Sequence, residues 1–174
     1  MPYRSLSYWL SSVPGDLTPG DPLPGDLDVD VAIAGAGFTG LWTAYYLAGA
    51  SPGLRIAVCE REIAGFGASG RNGGWCSAYF PASLAKLERM AGRDQAIAMY
   101  RAMEETVDEV GRVVAAEGID CHWAKGGALQ LARSPAQLER AIDYVNDYRS
   151  YGFGEDDVRL LTAAETAERS GATS

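Results

Sequence analysis

The spacing of apolar residues changes twice within residues 29–59, and these changes predict a strand, a helix and a second strand. Residues 29–34 are mostly apolar and β-branched, which is typical of a buried strand. Beyond Gly40, apolar side chains recur every three or four positions, at Leu41, Ala44, Tyr45 and Ala48. Glycine and proline at 49–53 end this helix, and residues 54–59 form a second apolar run. We therefore expect a βαβ unit with two parallel strands.

The rest of the chain alternates between helical spacing and short apolar runs. Helical spacing predicts helices over 83–90, 94–118 and 134–152. Short apolar runs predict a hairpin of strands at 119–123 and 128–132, and one more strand at 158–161. Thr162 and Glu165 match the S/T-x-x-E capping box, so a further helix is expected to begin there.

A glycine-rich segment joins the first predicted strand to its helix. It reads Gly35-Ala36-Gly37-Phe38-Thr39-Gly40, with G-x-G-x-x-G spacing, and is called the first glycine loop below. Gly35 permits a tight turn, Gly37 lets the main chain approach a pyrophosphate, and Gly40 lets the helix pack on the strand. Glu60 lies 20 residues beyond Gly40, where a carboxylate can accept hydrogen bonds from ribose hydroxyls. A purely structural glycine turn is the alternative, but strand, helix and acid together predict a dinucleotide site.

Five glycines lie within residues 65–74, the second glycine loop. Such a segment exposes backbone N–H groups and lets a planar or polyanionic ligand lie against the main chain. A flexible surface loop is the alternative. Arg71, Asn72 and the following Trp75 disfavour it, because a loop that serves only as a spacer does not require such side chains. We expect the second glycine loop to contact the same ligand as the first.

The segments GAGFTGLWTAYYLA and EREIAGFGASGRNGG together resemble the FAD-dependent oxidoreductases of the D-amino-acid oxidase (DAO) superfamily. The likeness is greatest to the branch with glycine and sarcosine oxidase-like and γ-glutamylputrescine oxidase-like enzymes, and it extends from about Ser5 to the last residue. It implies an α/β fold, with a Rossmann-like FAD-binding βαβ unit followed by the start of an α+β substrate domain. The implied activity is oxidation of a small-molecule amine or amino acid by hydride transfer to flavin.

The resemblance also implies where FAD would bind. The pyrophosphate would lie on the first glycine loop, the adenosine ribose on Glu60, and the adenine end near Arg61. The second glycine loop would line the pyrophosphate, ribityl chain and isoalloxazine, through Gly67, Ala68, Ser69, Arg71, Asn72, Gly73 and Gly74. No position is identified as catalytic, because the family's substrate-handling residues usually lie in a part with no matching positions in this chain.

Composition and charge exclude several other classes of function. The formal net charge is −8, and no basic stripe is available to neutralise phosphate, so nucleic acid is not an expected partner. No apolar stretch is long enough to span a membrane. Three widely spaced cysteines and one histidine predict neither a disulfide framework nor a metal site. Cys59 is expected to be buried, and Cys76 either to pack or to approach the cofactor. These features together favour a cytoplasmic protein.

Two further features have a functional and a structural interpretation. His122 could act as a base, although a locally hydrogen-bonded strand histidine is favoured. An acidic face on the long helix could bind an amine or a polyamine, although a solvated helix surface is favoured; it comprises Glu104, Glu105, Asp108 and Glu109.

The expected organisation has three parts: an extended N-terminal arm at 1–28, a βαβ unit with the second glycine loop at 29–81, and helices with short strands at 82–174. The arm is proline-rich, and no helix is expected at 19–26. Two parallel strands alone cannot form a stable doubly wound sheet with both faces covered. We therefore expect a missing C-terminal half or self-association. The alternatives to a flavin enzyme are an NAD-binding dehydrogenase domain and a non-catalytic product of a truncated gene.

Overall fold

A computed structural model describes residues 3–171 of the chain. The chain divides into two compact units, with the boundary between Trp75 and Cys76. Residues 1–2 and 172–174, the outer ends of the first and last predicted parts, lie outside the described residues. The division into three parts at 28 and 81 stays a prediction.

The first unit begins with an arm that contains a short helix. A 3-10 turn at Tyr3–Ser5 precedes helix α1 (Tyr8–Ser12), in a part of the chain expected to be extended. The Ser7 hydroxyl caps α1 by accepting a hydrogen bond from the Leu10 N–H at 3.1 Å, and the Leu10 side chain is buried. A five-residue helix has too little periodicity to be recognised from spacing, although a serine before an apolar run is a typical start signal. As expected, residues 19–26 contain no helix.

The predicted βαβ unit is present in the first unit. Strand β1 (Val31–Ala34) leads into helix α2 (Phe38–Ala50), which returns the chain to strand β2 (Ile56–Cys59). The strands are parallel, with Val31 paired to Ile56 and Ala34 paired to Cys59. Helix α2 begins at Phe38 with Gly37 at its cap, two residues earlier than the apolar spacing indicated. Because the two strands are parallel, both end on the side of the sheet from which the first glycine loop leaves β1.

The second unit is helical where it has regular structure. Its helices are α3 (Leu84–Ala91), α4 (Arg93–Ala116), α5 (Pro135–Ser150) and α6 (Ala163–Ser170). Gly92 separates α3 from α4, as expected, with a φ of +89° that favours glycine. Five buried residues of this unit form one cluster: Leu84, Ala96, Tyr100, Tyr151 and Phe153. The positions of α3, α5 and α6 were predicted well because each begins at a serine or threonine cap, and that of α4 because it carries a long apolar stripe.

The three short strands predicted in the second unit are not formed. Residues 119–123, 128–132 and 158–161 have no strand structure in the part of the chain that is described. His122 has a φ of +55°, which interrupts an extended backbone within the first of these runs. The side chains of Ile119, Leu129 and Leu131 are exposed, so an isolated hairpin here would bury little apolar surface. The prediction of these strands was wrong for that reason.

The predicted capping box of α6 is formed, and it leads to a prediction for the titration of Glu165. The Thr162 N–H and hydroxyl donate to Glu165 Oε2, at 2.8 and 2.9 Å, and Arg159 contacts Oε1 at 3.0 Å. These hydrogen bonds, the backbone bond first, lower the pKa of Glu165 to about 2. Because the folded-state pKa is depressed, the stabilisation is complete above the ordinary value of 4.5 and is lost as the pH falls toward 2.

We expect the Glu165 carboxyl to titrate near pH 2 when followed by NMR. In Thr162→Ala its midpoint should rise only part of the way toward the ordinary value, because alanine keeps the backbone N–H donor, and α6 should lose about 1 kcal/mol of stability. Arg159→Gln is the matched variant, because it removes the ion pair and keeps the cap. A midpoint near 4.5 in the unaltered chain would contradict the capping-box geometry.

Candidate functional site

The first glycine loop makes a tight turn that a side chain would prevent. Gly35 has a φ of +97°, and its N–H donates to the carbonyl oxygen of Cys59 at 2.7 Å, which ties the loop to the end of β2. A Cβ at Gly40 would overlap the carbonyl oxygen of Gly35 and lie 3.2 Å from Cγ2 of Ile33. The third glycine therefore lets the first turn of α2 lie directly against the turn that leaves β1.

The second glycine loop holds its shape through its own polar side chains. Asn72 Nδ2 donates to the carbonyl oxygens of Ala68 and Ser69, at 3.2 and 2.7 Å, and Asn72 Oδ1 accepts from the Gly74 N–H at 2.6 Å. Arg71 Nε donates to the carbonyl of Phe66 at 2.7 Å, and its guanidinium lies 4.5 Å from the centre of the Phe66 ring. The two polar residues thus act as internal braces of the loop.

The two glycine loops meet at the N-terminus of α2. The Phe38 N–H donates to Ser69 Oγ at 2.9 Å, and the Gly65 N–H donates to the carbonyl oxygen of Ala36 at 2.9 Å. A Cβ at Gly37 would lie 3.0 Å from Ser69 Oγ, so the absence of a side chain permits this close approach. Segments about thirty residues apart in the sequence therefore form one continuous surface of main chain.

Glu60 lies beside this surface and is fixed by backbone donors. The Ala36 N–H donates to Oε2 at 3.0 Å and the Glu62 N–H donates to Oε1 at 3.1 Å. These bonds, that from Ala36 first, lower the pKa of the Glu60 carboxyl. Each oxygen keeps lone pairs for further donors, because a carboxylate can accept about four hydrogen bonds. The exposed carboxylate is thus ionised, oriented and able to accept from hydroxyl groups.

The surface fits a pyrophosphate on chemical grounds. The N–H groups of Thr39 and Gly40, in the first turn of α2, have no acceptor within residues 3–171. A helix N-terminus carries partial positive charge, and its first N–H groups favour anions. Together with the close approach permitted at Gly37, this arrangement suits the phosphates of a dinucleotide.

The structure does not bring every predicted residue into this arrangement. Arg61 forms an ion pair with Glu62 at 3.4 Å, and its side chain is 84% exposed, so it is not held toward either glycine loop. Cys59, expected to be buried, is exposed because it is the last residue of β2 at the open edge of the sheet. Cys76 is also exposed.

The acidic face of α4 is largely paired with cations of the same chain. Glu104 contacts Arg101 at 2.8 Å, Asp108 contacts Lys125, and Glu109 contacts Arg112 at 2.5 Å. This pairing supports the solvated-surface interpretation over a polyamine site. His122, predicted to lie in a strand, lies instead in a segment without regular structure. No cluster of histidine, cysteine and acidic residues that could hold a metal occurs among the described residues.

Sequence reasoning missed the contacts between the arm and the second glycine loop. Ser7 Oγ donates to the carbonyl oxygen of Gly70 at 2.6 Å, and Trp9 Nε1 donates to the carbonyl oxygen of Asn72 at 2.7 Å. Both contacts join residues 63 positions apart. Only the apolar cluster around Trp9, in an otherwise polar and proline-rich arm, signalled that the arm could pack on the body of the protein.

Comparison with known families shows the family of this chain and the cofactor of that family. A family model described as FAD-dependent oxidoreductase, DAO, matches residues 30–174, which include both glycine loops and Glu60. The chain belongs to the DAO family. The cofactor of this family is FAD, so the alternative of a nicotinamide dinucleotide is set aside.

Two curated relatives of this DAO-family chain that are 32% identical to it are oxidoreductases by name. The γ-glutamylputrescine oxidoreductase of Escherichia coli (strain K12) is 32% identical over 152 residues, which cover 87% of this chain and 35% of that protein. The "Probable oxidoreductase OrdL" of Haemophilus influenzae is 32% identical over 125 residues, covering 71% of this chain and 28% of its own length. The chain thus spans about a third of the length of these relatives. No solved structure gives a significant match.

Other expectations about the whole protein are tested less directly. None of the described helices is both long enough and apolar enough to cross a membrane. The cytoplasmic location, the exclusion of nucleic acid and the possible self-association stay predictions.

Proposed function

We propose that this chain supplies the FAD-binding part of an enzyme that oxidises a small-molecule amine or amino acid. The observation that carries the proposal is the junction of the two glycine loops at the N-terminus of α2. Through the Phe38–Ser69 and Ala36–Gly65 hydrogen bonds, the junction forms a single backbone surface beside an ionised carboxylate. That combination suits a long ligand with a pyrophosphate at its centre and a ribose at one side.

We propose specific roles for the residues of this surface. The pyrophosphate binds the N–H groups at the start of α2, and the ribose hydroxyls of the adenosine donate to Glu60, with the adenine end toward Arg61. The second glycine loop lies along the pyrophosphate, the ribityl chain and the isoalloxazine. The proposed FAD-binding residues are Gly35, Ala36, Gly37, Phe38, Thr39, Gly40, Glu60, Arg61, Gly67, Ala68, Ser69, Arg71, Asn72, Gly73 and Gly74.

The chemistry of the proposed reaction belongs mainly to the cofactor. Bound FAD would supply the acceptor for a hydride from a carbon that bears nitrogen, and the resulting imine is hydrolysed by water. The residues of this chain bind and orient the dinucleotide and keep the Glu60 carboxylate ionised. An amine or amino acid is proposed as the substrate class because a relative at 32% identity is named γ-glutamylputrescine oxidoreductase. No catalytic residue is assigned.

An FAD titration of the 174-residue chain, followed by flavin fluorescence, tests the binding part of the proposal. We expect saturable binding that weakens about tenfold or more in Glu60→Lys, because the ribose loses an acceptor and the Ala36 N–H loses its partner. Glu60→Gln keeps one acceptor oxygen and should have a smaller effect. Because its pKa is lowered, Glu60 stays ionised and affinity should be flat from neutral pH down to the carboxyl's ordinary value of 4.5.

Glu139→Lys, an exposed position on α5 in the second unit, is the control with the same change of charge. It should leave the affinity for FAD unchanged. Absence of saturable binding by the unaltered chain would count against the proposal. Equal losses in the Glu60 and Glu139 variants would show that net charge, and not the ribose contact, governs binding.

A further inference from the structure

The N-terminal arm is a small folded hook, held together by its own residues. The Arg4 guanidinium donates to carbonyl oxygens at the end of α1 and just beyond it, those of Leu10, Ser11, Val13 and Gly15, at 2.9 Å for Val13. The Ser7 cap fixes the other end of α1. The part of the arm at residues 3–13 therefore has a defined shape, although the segment 14–30 that joins it to β1 has no helix or strand.

Several contacts join the arm to the second glycine loop and to the residues just before it. Ser7 and Trp9 donate to the carbonyl oxygens of Gly70 and Asn72, at 2.6 and 2.7 Å. The Tyr3 hydroxyl donates to Glu62 Oε2 at 3.0 Å, and the Tyr3 and Phe66 rings meet edge to face, with centres 6.2 Å apart. The arm thus contacts the second glycine loop at Phe66, Gly70 and Asn72.

Gly74 shows how closely the arm and the loop fit. Its φ of +69° is unfavourable for other residues, and a Cβ there would overlap the ring of Trp9. The Gly74 N–H is held by Asn72 Oδ1, while the Asn72 carbonyl accepts from Trp9. The end of the loop is therefore fixed from two directions, by Asn72 inside the loop and by Trp9 outside it.

The second glycine loop is accordingly held between two partners. Ser69 contacts the start of α2, and its neighbours Gly70 and Asn72 contact the arm. We propose that the arm is part of the cofactor site: it positions the second glycine loop, and docking of the arm and binding of FAD stabilise each other. This inference rests on the proposed function. Because such coupling is reciprocal, loss of the arm contacts weakens FAD binding, and FAD slows undocking of the arm.

Two variants test the first direction. Trp9→Phe removes the indole donor and keeps an aromatic ring, and Ser7→Asp keeps an acceptor for the α1 cap while it removes the donor to Gly70. We expect the Kd for FAD to rise about three- to tenfold in each, the usual range for the loss of one hydrogen bond. Ser12→Ala is the matched control, because the Ser12 hydroxyl donates to the Trp9 carbonyl within the arm and does not contact the loop.

A comparison with ADP separates positioning from general loosening of the fold. ADP carries the pyrophosphate and adenosine but lacks the ribityl chain and the isoalloxazine, two of the three groups that the second glycine loop is proposed to line. In Trp9→Phe and Ser7→Asp the Kd for ADP should therefore rise less than the Kd for FAD. Equal increases for ADP and FAD, or an unchanged Kd for FAD, would overturn the inference.

Hydrogen exchange of the unaltered chain tests the second direction without any variant. Saturating FAD should slow amide exchange in residues 6–13 about tenfold, whereas the same concentration of ADP should have a smaller effect. If FAD leaves the exchange rate of these amides unchanged, the coupling is overturned. This result does not depend on whether the variants fold. Failure of the unaltered chain to bind FAD would instead reject the proposed function, so the two failures are distinguishable.

Discussion

Gly40→Ala is expected to remove tight FAD binding, whereas Gly49→Ala, in the same helix, leaves it unchanged. A Cβ at position 40 would overlap the Gly35 carbonyl oxygen, so β1, the tight turn and the first turn of α2 cannot keep their present positions. The N–H groups proposed to hold the pyrophosphate would move with that turn. We expect an affinity at least about tenfold weaker, together with a loss of about 1–3 kcal/mol in the free energy of unfolding from overpacking.

Gly49 provides a strict control because a Cβ there meets nothing within 4 Å. Alanine is the better helix former, so Gly49→Ala should raise the free energy of unfolding by about 0.5–1 kcal/mol. FAD titration and thermal unfolding of the two variants measure both effects. If Gly40→Ala bound FAD as the unaltered chain does, the contact between the third glycine and the first would not matter to the site.

Leu84→Ala is expected to have the largest effect on the stability of the second unit. Leu84 is 1% exposed and belongs to the buried cluster with Tyr100 and Phe153. Its truncation removes buried methyl groups and leaves a cavity between α3 and α4, at a cost of about 2–5 kcal/mol. The loss should appear as a lower urea midpoint for the far-ultraviolet circular dichroism, since four helices lie in this unit.

Leu138→Ala is the comparison for that experiment. Leu138 also lies on a helix, α5, but its side chain is 45% exposed, so the same truncation should cost at most about 0.5 kcal/mol. Similar midpoints for the two variants would show that the second unit is not stabilised by the cluster around Leu84.

The elements that sequence patterns predicted correctly depend on local interactions. The βαβ unit follows from the spacing Gly35–Gly37–Gly40 and from apolar runs on either side of it. The first turn of α6 follows from Thr162 and Glu165, three residues apart. In each case the residues that determine the structure are close in sequence, so one segment contains the whole signal.

The predictions that were wrong or missing concern strands and contacts that depend on partners elsewhere in the chain. The apolar runs at 119–123 and 128–132 are compatible with strands, but a strand also needs a neighbour and a buried face, which local sequence cannot supply. The hydrogen bonds of Ser7 and Trp9 join residues 63 positions apart, and nothing in the local sequence of the arm identifies those acceptors. The turn and helix start of the first glycine loop were therefore predictable from local residues, whereas the contacts of the second glycine loop with the arm were not.

The separation between the arm and its docking partner has a consequence for synthesis of the chain. Gly74 follows Val13 by 61 residues, so the hook leaves the ribosome long before the surface against which it packs exists. At roughly 5–20 residues per second, the interval is roughly 3–12 s. During that time Trp9 and Leu10 have no docking surface and are available to chaperones. A segment that is made before its docking surface is thus one of the last parts of its unit to reach its final position.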